Sequence, residues 1–305
     1  MDSHIIFRYR DGSEITENNV LSFRFRKEAY TPYTSLSANF CTESLNPAYV
    51  SEVLFYIGNK LIHHGLIDSL EVSSSHGAKT AKIYSRSFSV MLMQNELAPG
   101  LYTNTSVNSL IDSFITIPYV THENKADTNY IFIKYGSVLW DGITAVSYKL
   151  YHAYPYIRGT NHIMCSTFET PENFSYGSDE IISYGSALAE RNLLSHFHME
   201  DVNGNYGTYD FNNTEVSDLK IVRHKYFELD KQFLYDPQQA LLFRNSYALR
   251  GYRKHFCTYC GYKGEDLSDT ASFNSISGRI SDIVIKGGSD GIFTEISVYK
   301  DGLIT

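Results

Sequence analysis

The chain of 305 residues has little of what marks a secreted, metal-held or membrane-spanning protein. It carries only four cysteines (Cys41, Cys165, Cys257 and Cys260), too few and too scattered for a disulfide framework in a chain of this size. No apolar run is long enough to span a bilayer. The N-terminal stretch MDSHIIFRYRDGSE has no basic flank leading into an apolar core, so no signal peptide is expected and the reading is of a soluble protein made in a reducing cytoplasm. Basic residues are in deficit: Lys and Arg number 26 against 34 Asp and Glu, a formal charge of −8. That argues against a general nucleic-acid binder, which neutralises phosphates with a basic surface, although DNA could pass an acidic wall without adhering. Catalytic signatures are also missing. There is no GxSxG, no GxxxxGK[ST], no HExxH, and no GxGxxG after a strand.

What is abundant is aromatic: 25 Tyr and 18 Phe in a chain that is 43% hydrophobic. Such residues suit half-buried strands and assembly interfaces. The first third reads as strands. FRYRDGSEI is a hairpin turning at Asp11 and Gly12. VLSFRFRKEAY alternates, with Leu21, Phe23 and Phe25 on one face and Arg24 and Arg26 on the other. Two further runs join at Gly58 to Lys60, and LIDSLEVSSSHGAKTAKIYS makes another pair about a Ser/Gly turn. Short recurring strands of this kind suggest an antiparallel barrel or sandwich.

The middle changes period. Val107, Leu110, Ile111 and Phe114 fall at helical spacing behind Thr105 or Ser106 as cap. Ser137 can cap a second helix whose apolar side carries Leu139, Ile143, Val146 and Leu150. The single tryptophan, Trp140, lies on this helix and is expected in the core. With strands at TNYIFIKYG, AYPYI and NHIMCSTF the middle is an α+β unit. Beyond Ser175 a hairpin turns at Asn203 to Asn205. Asp236, Pro237 and Gln239 open a helix with a cap, a first-turn proline and a capping-box residue.

The segments His64–Ile83 and Ser277–Ile296 superpose without a gap: Gly65 on Gly278, Ile67 on Ile280, Leu70 on Ile283, Val72 on Ile285, Ile83 on Ile296. Both share a phase slip, since Leu70 and Val72 fall on one strand face and Ile67 on the other. A bulge at the same place, or burial of both faces, accounts for that. Two generic hairpins would also look alike; if the echo is real, one barrel type occurs twice.

Three clusters invite a chemical reading. Cys257 and Cys260 in HFCTYCGY have the spacing of half a zinc site but lack a second pair, and a strand pair of thiols fits better. His196, His198 and Glu200 alternate and would share a strand face, as metal ligands or as a solvent face opposite Phe197 and Met199. His63 and His64 read as a surface pair. NTS, NFS and NNT match the glycosylation pattern by chance. No catalytic, cofactor or metal residue is therefore assigned, and no cofactor is expected.

In order and pattern the chain resembles the hub proteins of phage tail baseplates and related contractile injection systems. Four stretches carry the resemblance: NKLIHHGLIDSLEVSSSHGAKTAKIYSRS, RSFSVMLMQNELAPGLYTNTSVNSLIDSFI, YGSVLWDGITAVSYKLYHAYPYI ahead of GTNHIMCS, and SDLKIVRHKYFELDKQFLYDPQQALLFRNSYALR. It implies two tube-like antiparallel β-barrels, residues 1–95 and 175–305, flanking an inserted α+β domain at 96–174, with a helix near 236–253. It further implies a non-enzymatic homotrimer in the virion tail baseplate, assembled in the bacterial cytoplasm. Such a trimer would join the tail tube protein to a spike or tip protein around a channel for tape-measure protein or DNA, with no membrane partner. The alternative is a β-rich carbohydrate-binding module or cell-wall glycoside hydrolase, which would need exposed tyrosines and a carboxylate pair in one cleft.

Overall fold

The structure, a computed structural model, describes residues 2–75, 77–114, 116–233 and 236–300. It is mostly antiparallel β-sheet with few helices. Seven strands come first: β1 (Ser3–Tyr9), β2 (Glu14–Glu17), β3 (Val20–Glu28), β4 (Ser35–Cys41), β5 (Val50–Ile57), β6 (Lys60–Ser75) and β7 (Ala78–Ser87). The middle holds α1 (Met91–Gln94), β8 (Gly100–Thr105), α2 (Val107–Phe114), β9 (Thr121–His122), β10 (Asn129–Ile133), α3 (Leu139–Tyr151), β11 (Tyr156–Arg158) and β12 (His162–Met164). Then follow β13 (Asn173–Tyr176), β14 (Ile181–Leu188), β15 (His196–Met199), β16 (Tyr209–Asn212), α4 (Thr214–Asp218), β17 (His224–Phe227) and α5 (Pro237–Leu249). The chain ends in β18 (Arg253–Cys260), β19 (Thr270–Phe273), β20 (Ile276–Gly288) and β21 (Gly291–Tyr299).

One thirteen-stranded sheet runs through both ends of the sequence, in the order β14-β18-β21-β20-β3-β4-β7-β6-β5-β1-β2, with β19 and β13 branching from β20. Among the described residues this path does not close on itself. Period-two alternation builds it. Phe23 and Phe25, Leu36, Ala38 and Phe40, Ala81 and Ile83, Ile283 and Ile285, and Ile296 and Val298 point into one shared apolar core.

The repeated hairpin is real at the level of register. In β6–β7, Leu70 pairs Ile83 and Val72 pairs Ala81; in β20–β21, Ile283 pairs Ile296 and Ile285 pairs Thr294, a constant shift from Leu70 to Ile283 and from Ala81 to Thr294. The phase slip is a bulge in both, between Ile67 and Ser69 and between Ile280 and Asp282. Gly65 and Gly278 are required by close approach. A Cβ on Gly65 would lie 2.2 Å from the Arg86 carbonyl oxygen, and one on Gly278 would lie 2.5 Å from a Val298 methyl.

Bulges also overturn two expectations. Leu21 does not join Phe23 and Phe25: the register shifts between Val20 and Ser22, and Leu21 is 51% exposed while Val20 packs against the core. LIDSLEV is not a separate strand but the continuation of β6, sixteen residues long.

The middle segment packs a second core around α3, with Trp140, Ile143 and Val146 buried beside Leu110, Ile131 and Ile163. Ser106 caps α2, its Oγ accepting from the Ser109 N–H at 3.0 Å; the side chain of Phe114 lies outside the described residues. Ser137 does not cap α3. Val138 holds the cap position, and Asp141, three residues on, accepts its N–H at 2.9 Å, one half of a capping box. A third, smaller core forms where α5 lies on the β16-β15-β17 sheet through Phe197, Met199, Ala240 and Leu241. Asp236 caps α5 by accepting from the Gln239 N–H at 3.2 Å.

Candidate functional site

The sequence-derived clusters separate once folded. Cys257 and Cys260 are three apart in β18, so alternation sends them to opposite faces: Cys257 is buried, Cys260 exposed. Burial pushes the Cys257 thiol up to about 12, which makes it a core residue rather than a nucleophile. His196 and His198 do share a face of β15, opposite the buried Phe197 and Met199. Their rings stack with His224 from the neighbouring β17, His196 at 4.1 Å between centroids, and His198 bonds Asp210 at 2.8 Å. Glu200 is not part of this row; its carboxylate accepts the Leu229 N–H at 3.0 Å.

His63 and His64 are not a surface pair. His63 is fully buried and His64 is 8% exposed. The register of β5 and β6 shifts between Phe55 and Tyr56, and this part of β6 is covered on both faces, by Phe25 of the main core on the His63 side and by Phe88 and Tyr119 on the His64 side. His63 bonds Thr34 Oγ1 at 2.8 Å through Nδ1 and Ser85 Oγ at 2.7 Å through Nε2. Because Ser85 Oγ donates to the Leu66 carbonyl, the network assigns the proton to Nε2. Burial, with the neighbouring His64, holds the imidazole down to about 3, so it is neutral at ordinary pH.

His64 enters a cluster that sequence reasoning missed, because its members lie on separate strands. Glu52 of β5 accepts from His64 Nε2 at 2.9 Å, from Arg8 Nη1 at 2.9 Å and from the Tyr119 hydroxyl at 2.9 Å. Burial alone would push this carboxyl up. The His64 and Tyr119 hydrogen bonds and the Arg8 charge outweigh it and leave the group below the usual carboxylate range. A general acid needs the opposite shift, so the cluster fastens the Tyr119 loop to the sheet. Asn161 makes a parallel clasp: its Oδ1 accepts from the Ser89 N–H at 2.9 Å and its Nδ2 donates to the His64 carbonyl at 3.1 Å.

A mostly apolar cavity of about 660 Å³ lies between the β8–β10 pair and the β15–β17 side, lined by Leu101, Phe132, Val202 and Leu229 together with Glu200, Asp201 and Glu228. Glu200 and Asp201 already serve backbone groups. Asp201 accepts from the Asn203 and Asn205 N–H groups at 2.8 and 2.9 Å, which hold it below its ordinary value. No group of three or more metal-ligating side chains is assembled among the described residues.

The more prominent surface feature is an open sheet edge. Among the described residues β14 pairs with β18 on one side only; it carries no charged residue from Ile181 to Leu188, and exposes Ile182, Tyr184 and Leu188 to 55%, 57% and 58%. Natural edges are normally guarded by charge, proline or a covering element. Among the described residues no helix is long and apolar enough to cross a membrane.

No family model and no curated protein matches the chain. Solved structures do. A tail protein from Neisseria meningitidis aligns with a TM-score of 0.75 at 13% identity, covering 100% of this chain and 98% of its own. The 43 kDa tail protein of prophage MuSo2 from Shewanella oneidensis aligns at 0.71 and 12% identity, covering 99% of both. An Escherichia coli protein, described as a type VI secretion component with structural similarity to T4 bacteriophage tail proteins, aligns at 0.59 and 10% identity over 94% of this chain and 77% of its own. The fold is thus one shared with these tail and secretion-system proteins, over nearly the whole length of the chain.

Proposed function

We propose that the chain is a structural hub subunit of a phage tail baseplate or a related injection device, joining the tail tube to a central spike. In this reading residues 1–95 and 175–305 are two tube-like barrel domains and 96–174 is the inserted α+β domain. Three copies form a ring around a channel that passes tape-measure protein or DNA without binding it. The tail-protein fold supports this, but the observation that carries it is the hairpin repeated in register, bulge included, at the two ends of one chain. A subunit that presents the same strand geometry twice can meet a ring with twice as many positions as it has copies. The role is mechanical, in keeping with a Glu52 carboxyl held low and with Glu200 and Asp201 bonded to backbone. The test is the native mass of the chain, alone and mixed with a tail tube protein. Assembly of three copies is the expected result; a single chain under both conditions overturns the reading.

A further inference from the structure

The junction inside the chain has a counterpart that is not made. Beyond its bulge, β20 pairs with β21 on one side and with β3 on the other, Asp282 opposite Glu28 through Gly287 opposite Phe23. The equivalent segment of β6, Ser69–Ser74, pairs with β7, and no described strand takes its other side. β14 is in turn the equivalent of β3. Val20 pairs Phe40 and Arg26 pairs Ser35 in β3–β4; Ile181 pairs Tyr259 and Ala187 pairs Lys254 in β14–β18. Both strands carry their register shift at the same place, around Leu21 and around Ile182. β3 spends its second side on β20, whereas no described strand takes the second side of β14.

We propose that Ser69–Ser74 of one copy pairs antiparallel with Tyr184–Ala189 of a second copy of this chain, in the register that β20 and β3 display. Leu70 then lies opposite Leu188, Glu71 opposite Ala187, and Val72 opposite Ser186. The inference deepens the hub reading and takes from it that the copies close into a ring. The backbone argument is that two open edges of matching length satisfy each other's N–H and C=O groups. The side-chain argument is continuity of the core. Leu70 and Val72 occupy the positions of Ile283 and Ile285. Tyr184 and Leu188 occupy those of Phe23 and the buried Lys27. The seam also lacks the internal junction's ion pair, Arg26 with Asp282, because Ser69 and Ala187 stand in those places. Each copy offers one edge of each kind, so the contact is head-to-tail and two copies alone leave an edge of each kind free.

Cysteine linking reads the register directly. In a background with the exposed Cys260 changed to serine, Glu71→Cys and Ala187→Cys place two thiols on directly opposed positions, with Cβ atoms roughly 4.5–5.5 Å apart. Mild oxidation is expected to convert the single-chain band into linked multimers. A mixture of the two single variants should yield linked pairs only. Glu71→Cys with Ser183→Cys, four residues out of register, should stay unlinked. Ser69→Lys with Ala189→Lys, both exposed on the single chain and opposite each other in this register, sets like charges across the seam and should reduce the native assembly to single chains. A wild-type ring by native mass with no 71–187 link, or one that survives the paired lysines, overturns the edge pairing and leaves the hub reading standing. A 71–187 link with no closed ring supports the pairing and sinks the hub reading. Absence of both removes both.

Discussion

At the scale of single residues, the most informative is His63, a histidine sealed in the sheet and neutral. Its folded value, about 3, lies below the ordinary 6.5 because burial disfavours the charged ring and His64 adds to the effect. The unfolded chain therefore binds a proton that the folded chain refuses between those two values. The contribution of His63 to stability is complete above the unfolded value and is lost as pH falls toward the folded one, with a slope of up to about 1.4 kcal/mol per pH unit. Urea unfolding midpoints should fall steadily from neutral pH into this window, and His63→Gln should flatten that part of the profile. Glu52, also held low, adds a loss of the same sign only below its own ordinary value of 4.5. A midpoint independent of pH above 4.5 would contradict the buried neutral histidine.

At the scale of elements, the repeated hairpin predicts an asymmetry. A methyl group at Gly65 would strike backbone, the Arg86 carbonyl; at Gly278 it would meet the side chain of Val298, which can rotate. Gly65→Ala should cost about 3 kcal/mol and Gly278→Ala about 1 kcal/mol, at the two ends of the range for overpacked sites. Equal losses by chemical denaturation would show that the two hairpins do not differ as described. Much of this level was legible in the sequence. The register of the echo could be read because Leu70, Val72 and Ile83 recur as Ile283, Ile285 and Ile296, and the slip at Ile67 marked a bulge later seen twice. What defeated periodicity was a bulge not read from the sequence, although it too recurs, in β14. The shift near Leu21 turned one leucine outward, and a strand covered on both faces hid His63 and His64 behind a pattern that looks like a surface pair. The Glu52 cluster was illegible because Arg8, Glu52, His64 and Tyr119 meet only through tertiary pairing. The small β15–β17 layer with α5 was also unseen as a unit, since its parallel pair joins strands far apart in the chain.

At the scale of the whole molecule, the two ends of the chain are held together by β20 against β3. A bidentate bond from Arg26 to the nearly buried Asp282, at 3.0 and 3.2 Å, marks the seam. Arg26 is half in solvent and Asp282 is not, with side-chain exposures of 47% and 4%. Burial raises the Asp282 carboxyl even against the arginine's pull. Arg26→Ala leaves a charge stranded in the interior and should cost on the order of 3 kcal/mol, whereas Asp282→Ala frees a guanidinium that water can reach and should cost clearly less. Thermal unfolding of the two variants checks the order; the reverse order would mean that the seam is not built around the aspartate.

The extra residue at Ser281 lets one continuous strand serve β19 before it and β3 after it. It acts as a protractor written into the backbone. The angle between the pairing directions of β19 and β3 is thus fixed by the covalent path of the chain at that one kink.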